Sequence, residues 1–396
     1  METDTLVPTE ITALRAHRFL LRASLALGGM FAWIFSLDYL YEIAGDVPRA
    51  IAGTALLYVL SQVITIVLTP VAAMHLRRGV RQSLVWAVVA LGSAFVFLGA
   101  TIADAFGTET TGWGIACFAV LMGVYRALYW VPYHVQCAEL PHTRFRMHVL
   151  FEGVLALMPL FVGMTIGMVA YPIERILFGA AGLAGASIVP LFALADTREK
   201  FSWSLSYTYA QLCRQKNRLL VARSLMAGVE GAGLFYVWPI AAFIVLGYSY
   251  GGLGIVCSVS LVCVLVLRHA YRWMTHRYNL HTAPVFQTVA VTAGWVGRSV
   301  AGTPIGLIIA DVLSYTTIPS HGIVSDPFVF EQSSDRGTFL DEYTAIKEMS
   351  LAGGRIICAT LLGTLVLVIP LAYALAFVLA CATLASVLSL LAARHV

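Results

Sequence analysis

Residues 83–103 have the sequence SLVWAVVALGSAFVFLGATIA, which is 21 consecutive residues without a charged side chain. An α-helix rises about 1.5 Å per residue, so a run of this length can cross the ~30 Å hydrocarbon core of a bilayer. Similar apolar runs recur along the whole chain of 396 residues. The sequence therefore predicts a membrane protein with several spanning helices.

The composition excludes most other classes of protein. Hydrophobic residues make up 59% of the chain and charged residues 12%, and the mean hydropathy is +0.83. Soluble proteins carry roughly a quarter charged residues, and a single soluble core stops growing at about 250–300 residues. A soluble enzyme, a disordered chain and a nucleic-acid binder are all excluded. The seven cysteines form no CxxC pair and are interpreted as small packing residues.

The apolar runs predict an all-α fold with twelve transmembrane helices. Their expected bounds are 19–44, 48–74, 83–105, 112–136, 148–171, 175–195, 219–246, 250–268, 282–298, 300–320, 343–368 and 370–393. The long polar stretch after the sixth helix predicts an N-terminal six-helix bundle (1–195), a cytoplasmic central loop (196–218) and a C-terminal six-helix bundle (219–396). This loop suits either an amphipathic segment on the inner leaflet or a solvated linker.

The positive charges predict the orientation in the membrane. With the N-terminus inside, most lysines and arginines fall in inner segments, and only Arg49, Arg175 and Arg298 fall in outer ones. Arg126 and Arg355 remain inside spans. Because basic residues concentrate on the cytoplasmic side, we expect a multi-pass inner-membrane (cell-membrane) protein with both termini in the cytoplasm.

A basic stretch between the second and third helices carries a family motif. Residues 72–81, AAMHLRRGVR, align with the pattern G-x-x-x-D-R-x-G-R-R of the major facilitator superfamily. Arg77, Gly79 and Arg81 match, whereas Leu76 stands where that family has its aspartate. The chain resembles this superfamily over essentially its whole length. The resemblance implies two six-helix bundles, a central cavity lined by helices 1, 4, 7 and 10, and an inner gate braced by Arg77 and Arg81.

The fourth helix carries a second partial match. The family often has R-x-x-Q-G at mid-membrane, with an arginine implicated in proton coupling. Here the sequence Arg126-Ala-Leu-Tyr129-Trp130 keeps the arginine and replaces the other two residues. The glycine-rich motif of exporters in the fifth helix is poorly represented.

Nine of the ionisable residues inside predicted spans are candidates for function. Each costs several kcal/mol in hydrocarbon unless it is paired or hydrated, so each is a functional candidate. They are Asp38, Glu42, Arg126, Glu152, Glu230, Asp311, Lys347, Glu348 and Arg355.

Arg126 is the predicted centre of a substrate site. Asp38 on the first helix is its expected counter-ion. Ring side chains follow Arg126 at helical spacing, so cation–π contact and charge would hold an anionic or aromatic solute. These residues are Tyr129, Trp130, Tyr133 and His134. The alternative is an interhelical ion pair with packing aromatics.

Asp311 is the leading candidate for a proton carrier, with Tyr315 one turn further on as a candidate substrate contact. A buried carboxyl near a cation can bind and release a proton. Glu230 and Asp38 are the other candidates for proton coupling. Glycines flank Glu230, so a structural pair with Arg355 is the competing interpretation.

Inner-gate and ion-pair roles are expected for six residues: Arg77, Arg81, Glu152, Lys347, Glu348 and Arg355. Lys347 and Glu348 are adjacent on one helix and must therefore find different partners. The histidines show no ligand spacing, so neither a metal nor a cofactor is expected.

These features predict a monomeric, proton-coupled secondary transporter that works by alternating access in contact with membrane lipid. The favoured substrate is a small organic anion or an amphipathic aromatic metabolite. A uniporter or a flippase of lipid-linked substrates stays open on the same fold. A polytopic transferase is the rival from another class, with candidate groups His134, Glu139, His142 and, in the 321–342 stretch, Asp326, Glu331 and Asp335. A non-transporting sensor is the last alternative.

Overall fold

A computed structural model describes residues 3–107, 111–138, 149–198, 200–278, 284–316 and 340–392. Fifteen α-helices account for most of these ranges. They are α1 (Thr3–Ser24), α2 (Met30–Ala44), α3 (Val47–His75), α4 (Val80–Ile102), α5 (Thr111–Ala138), α6 (Val149–Met168), α7 (Pro172–Ala186), α8 (Leu205–Leu212), α9 (Arg218–Ala232), α10 (Trp238–Val245), α11 (Tyr250–Tyr278), α12 (Pro284–Val300), α13 (Pro304–Thr316), α14 (Leu340–Leu365) and α15 (Leu371–Ala392).

Nine helical stretches in the described ranges are long and apolar enough to cross a membrane. Helices α12, α13 and α14 occupy the positions of the predicted ninth, tenth and eleventh spans. The architecture is therefore an all-α polytopic membrane protein, and it is consistent with twelve spans. Most helix ends lie within a few residues of their predicted positions.

The first span begins much earlier than residue 19, where the sequence predicts it. Helix α1 starts at Thr3 and joins α2 through a π-helical turn at Leu25–Gly29. Ile11, Leu14 and Leu21 are buried along one face of α1, although the segment is polar on average. An amphipathic stripe escapes a prediction that relies on mean hydropathy.

The seventh span carries a similar interruption. A π-helical turn at Gly233–Val237 separates α9 from α10. Such turns often mark functional positions inside helices. Tyr236 lies within this turn and Trp33 lies just after the turn in the first span, and the two side chains meet at the centre of the molecule.

Two pairs of helices join the N-terminal and C-terminal bundles. Helix α3 packs along α14, and α6 packs along α11. In the second pair, a side chain on Gly163 would strike the backbone of Tyr250, and one on Gly254 would strike the backbone of Pro159. Glycine at both positions allows the two helices to approach closely. These contacts lie toward the end of the bundles that the charge bias places outside.

Candidate functional site

Two arginines meet where the bundles join. Arg126 lies on α5 and Arg355 on α14, and the two side chains contact residues of α3 that are about one helical turn apart. The Arg126 guanidinium lies over the ring of Tyr58, 5.4 Å from its centre. Arg355 donates through Nη1 to the side-chain amide oxygen, Oε1, of Gln62 at 3.5 Å. The two cations therefore share a small region of α3.

Neither arginine has an acidic partner within 4 Å among the residues the structure describes. Arg126 also has a buried Nη1 with no hydrogen-bond partner there. Glu348, two turns before Arg355 on α14, attracts Arg355 electrostatically. Within the described residues, no ion pair therefore balances the positive charges of Arg126 and Arg355.

Aromatic rings cover these arginines on the side toward the predicted outer end. Tyr58 stacks on Tyr236 across the two bundles, with ring centres 4.4 Å apart. Trp33 contacts Tyr58 edge-on at 4.9 Å and also meets Phe118 at 5.1 Å. Tyr58 precedes Gln62 by about one helical turn, so the stack closes the outer side of the site.

Asp38 does not pair with Arg126, so this expectation was wrong. Its carboxylate accepts a hydrogen bond from the Tyr250 hydroxyl of α11 at 2.8 Å. Asp38 lies five residues beyond Trp33 on α2, which moves it roughly 7.5 Å further toward the predicted outer end. The Asp38–Tyr250 contact joins the two bundles above the aromatic stack. The roles predicted for Asp38 in substrate binding and proton coupling stay predictions.

The ring side chains that follow Arg126 face α1. The Tyr129 hydroxyl lies 3.3 Å from Nε2 of His17, and the Tyr129 and Tyr133 rings stack. The guanidinium of Arg18 lies 5.8 Å from the Tyr133 ring. Trp130 and His134 contact this group from the same helix. The ring that contacts Arg126 belongs instead to Tyr58, on another helix.

A different arginine is fully paired inside the C-terminal bundle. Arg298 of α12 donates through Nε and Nη2 to one carboxylate oxygen of Asp311 on α13, at 3.0 and 2.9 Å. Both side chains are almost completely buried. Three rings surround the guanidinium at 4.7–5.4 Å, from Trp238, Trp295 and Tyr315. Arg298 lies two residues before the end of α12, and its side chain is buried within the bundle.

Glu230 belongs to the neighbourhood of this pair. It accepts a hydrogen bond from the Ser386 hydroxyl at 2.7 Å, and the charge of Arg298 acts on it. The alternative pairing of Glu230 with Arg355 is not formed. The flanking glycine does allow close helix approach, because a side chain on Gly228 would strike the backbone of α14.

The predicted gate residues Arg77 and Arg81 both contact the start of the central loop. Arg77 donates to the carbonyl of Phe201 at 3.0 Å, and Arg81 lies 4.0 Å from the carboxylate of Asp196. Gly79, with φ of 127°, packs against the same carboxylate. Asp196 thus supplies an acid to a motif whose own aspartate is replaced by Leu76.

The same loop also contacts the C-terminal bundle. The backbone N–H of Ser202 donates to the Glu342 carboxylate at 2.8 Å, and Trp203 meets Tyr343 edge-on at 5.9 Å. Helix α8 follows, and its Tyr209 hydroxyl donates to the carbonyl of Val67 on α3. The segment therefore packs across the predicted inner ends of both bundles.

The remaining predicted residues are dispersed. Glu152 of α6 acts electrostatically on Arg22 of α1. Lys347 is partly buried and Glu348 is buried on α14, and both make interactions with neighbouring groups. The residues assigned to the transferase alternative fall outside the described ranges, except His134: they are Glu139, His142, Asp326, Glu331 and Asp335.

Sequence reasoning missed four central residues, namely Trp33, Tyr58, Gln62 and Tyr236. None of them carries a charge, and charged residues in apolar spans were the signal that predicted the site. A signal for Gln62 was present, because a primary amide inside an apolar run also needs a polar partner. The aromatic residues carry no such signal, since rings are common in apolar spans.

No protein-family model and no curated protein matches the sequence. Three solved structures of transporters resemble the chain over nearly its full length. The nucleoside transporter NupG is 12% identical with a TM-score of 0.57, over 98% of each chain. A bacterial homologue of the iron transporter ferroportin, in its inward-facing state, is 14% identical with a TM-score of 0.64, again over 98% of each chain. A D-xylose–proton symporter is 12% identical with a TM-score of 0.64, over 97% of this chain and 96% of the other.

These similarities establish the fold. The chain is a polytopic membrane protein with the fold of the major facilitator superfamily transporters. Identities of 12–14% show shared architecture and say nothing about the solute.

Proposed function

We propose that this protein is a secondary transporter that moves a small organic anion across the membrane by alternating access. The observation that carries the proposal is the pair Arg126 and Arg355, which lie together at the junction of the bundles without an acidic partner in the described structure. A buried charge costs several kcal/mol unless an opposite charge or hydrogen bonds compensate it. An anionic solute supplies that compensation when it binds.

The position of the arginines fits alternating access. The rings of Tyr58 and Tyr236 and the Asp38–Tyr250 hydrogen bond close the site toward the predicted outer end. Each of these contacts joins one bundle to the other. Rocking of the bundles would break them together and expose the arginines to the opposite side.

Proton coupling is the finer part of the proposal, and it is assigned to the group around Arg298. Asp311 accepts two hydrogen bonds from the Arg298 guanidinium, and the charge of Arg298 also acts on Glu230. The three side chains form one cluster. Protonation of Asp311 would release Arg298 from its partner, so the charge state of the cluster can respond to conformation. Tyr315 contacts Arg298 and would sense the same change.

The first test is anion-driven proton movement in proteoliposomes that contain the purified protein. Vesicles are loaded in turn with pools of organic anions, sugars, amino acids and aromatic cations, and the internal pH is followed after a pH jump. We expect a response with the organic anions. Arg126→Gln should abolish it, whereas Arg175→Gln, a matched change at an exposed arginine near the predicted outer surface, should leave it intact.

Two outcomes would contradict parts of the proposal. A response restricted to sugars, amino acids or cations would remove the anion assignment. Anion uptake that is independent of pH, and unchanged by Asp311→Asn, would leave a uniporter and remove the proton-coupling role of Asp311.

A further inference from the structure

Gln62 is a fully buried amide at the junction of the two bundles. Its Nε2 donates to the Ser61 hydroxyl at 2.9 Å, and that hydroxyl donates to the Tyr58 carbonyl at 2.8 Å. Its carbonyl oxygen accepts from Arg355 of the opposite bundle. The amide thus lies in a chain of hydrogen bonds that ends on one of the central cations.

The chemistry of the partners fixes the orientation of this amide. A guanidinium has only donors, so the Gln62 carbonyl must face Arg355 and the NH₂ group must face Ser61. The Ser61 hydroxyl has given its proton to the Tyr58 carbonyl and therefore accepts. Each group in the chain has one compatible role, and the carbonyl stays directed at the cation.

An amide in this position holds the arginine without neutralising it. Glutamate has the same size and shape, and at residue 62 it would form a charge-assisted pair with Arg355. The site would then contain one uncompensated cation instead of two. Glutamine therefore preserves the second positive charge for the ligand while supplying one hydrogen bond that positions it.

We infer that the transported anion carries two negative charges and that Gln62 is the specificity-determining residue that keeps Arg355 available for the second one. This inference rests on the proposed anion-transport function. The shared chemistry is that of a small organic dianion, which a dicarboxylate or an organic phosphate ester both provide. Bidentate contact with a planar carboxylate or with phosphate oxygens suits either arginine. The rings of Tyr58 and Tyr236 suit an apolar body between or beside the charged groups.

The test compares anions that share a ring and differ in charge. Benzoate, phthalate and phenyl phosphate are offered to the wild type and to two variants in proteoliposomes at pH 8, where phthalate and phenyl phosphate are both dianions. Uptake gives KM and kcat for each compound. Gln62→Glu adds a negative charge without changing size, and Gln62→Met removes the hydrogen bond without adding charge. Thermal unfolding of each variant checks that it folds.

In the wild type we expect a dianion to be preferred over benzoate by at least tenfold in kcat/KM. Comparing the uptake of phthalate with that of phenyl phosphate shows which class of dianion is transported. Gln62→Glu should reverse this preference toward benzoate. Gln62→Met should lower kcat/KM for the dianion severalfold and keep the dianion preference. If Gln62 served only in packing, kcat/KM would fall by the same factor for all three compounds in both variants.

Two results would overturn the inference and leave the proposed function standing. One is equal transport of benzoate and the dianions by the wild type. The other is an unchanged charge preference in a folded Gln62→Glu variant. Failure of the proposed function has a different signature, because then none of the three anions is transported by the wild type while a solute of another class is.

Discussion

The buried arginines of this molecule lie in two different environments. Arg298 lies within one bundle, donates two hydrogen bonds to Asp311 and is enclosed by three aromatic rings. Arg126 and Arg355 lie between the bundles, and among described residues they find one ring and one amide. The first arrangement contains its own counter-ion, and the second has none among the described residues.

The difference predicts that Arg298 contributes to stability and that Arg126 and Arg355 contribute to ligand binding. If the bundles rock as proposed, a pair inside one bundle moves with that bundle and separates only when its acid takes up a proton. A buried cation without a counter-ion raises the free energy of the ligand-free protein. Binding of an anion beside it would lower that free energy again. Stability measurements and transport measurements should therefore separate the two regions.

The largest effect is expected at the paired site. Arg298→Gln leaves the Asp311 carboxylate buried without its partner, and removal of one member of a buried pair costs about 3–5 kcal/mol. We expect a matching loss in the free energy of unfolding, measured by denaturation of the purified protein in detergent. The double variant Arg298→Gln/Asp311→Asn removes both charges and should recover most of the loss. No recovery would argue that Arg298 stabilises through its rings alone.

Arg126→Gln should give the opposite pattern. We expect anion uptake to fall about a hundredfold, which corresponds to roughly 2.7 kcal/mol of transition-state stabilisation. The free energy of unfolding should stay the same or rise, because an unbalanced charge has been removed. The measurements are initial uptake rates and unfolding of the same preparation. A stability loss as large as that of Arg298→Gln would erase the distinction between the two regions.

A smaller effect is expected at the ring beneath Arg126. Tyr58→Leu removes the cation–π contact and should weaken anion binding by about 1 kcal/mol, or roughly fivefold. Tyr58→Phe keeps the ring and serves as the matched control, with near wild-type binding. Ligand-induced shifts in thermal unfolding measure both. Equal losses in the two variants would point to the hydroxyl group instead.

The smallest effect is expected at two acidic residues near the predicted inner end. They are acidic, whereas the central site is basic. Asp341 and Glu342 are adjacent and buried just before the apolar part of α14. Burial, together with the neighbouring Glu342, raises the pKa of Asp341 to about 8. The packed arrangement thus binds a proton that a solvated Asp341 would release near pH 4. Its stability is greatest at acidic pH and is lost as the pH rises through 8.

A spin label at Ser204, in a Cys213→Ser background, would report the resulting release of the central loop. We expect label mobility to increase between pH 6 and pH 9, because Glu342 holds the backbone of Ser202. Asp341→Asn cannot ionise and should flatten this dependence. A mobility profile that is the same in both proteins would show that another group controls the contact.

Much of the fold followed from the sequence, because the length of an apolar run is a property of one segment. The helices α3, α5 and α14 begin and end close to the predicted positions. The early start of α1 is the main exception, since its apolar face is a stripe and not a run. The resemblance through residues 72–81 also led to the right fold, which the solved transporters confirm.

The candidate site followed only in part. Arg126 and Arg355 were visible as charges in apolar spans, and their lack of an acidic partner was not. The expected pairs Asp38–Arg126 and Glu230–Arg355 failed because pairing depends on the depth and rotation of helices that are distant in sequence. Asp311 was visible as a buried acid, but its partner Arg298 lay too near a predicted helix end to be recognised.

The sequence by itself determined that this chain lies in a membrane, how its spans are arranged along the chain and which charges are costly to bury. These properties depend on local length and composition, which a linear chain states directly. The tertiary structure alone decided which arginine is balanced and which is not. That distinction arises from the register between helices, because two residues neutralise each other only where packing brings their side chains within contact.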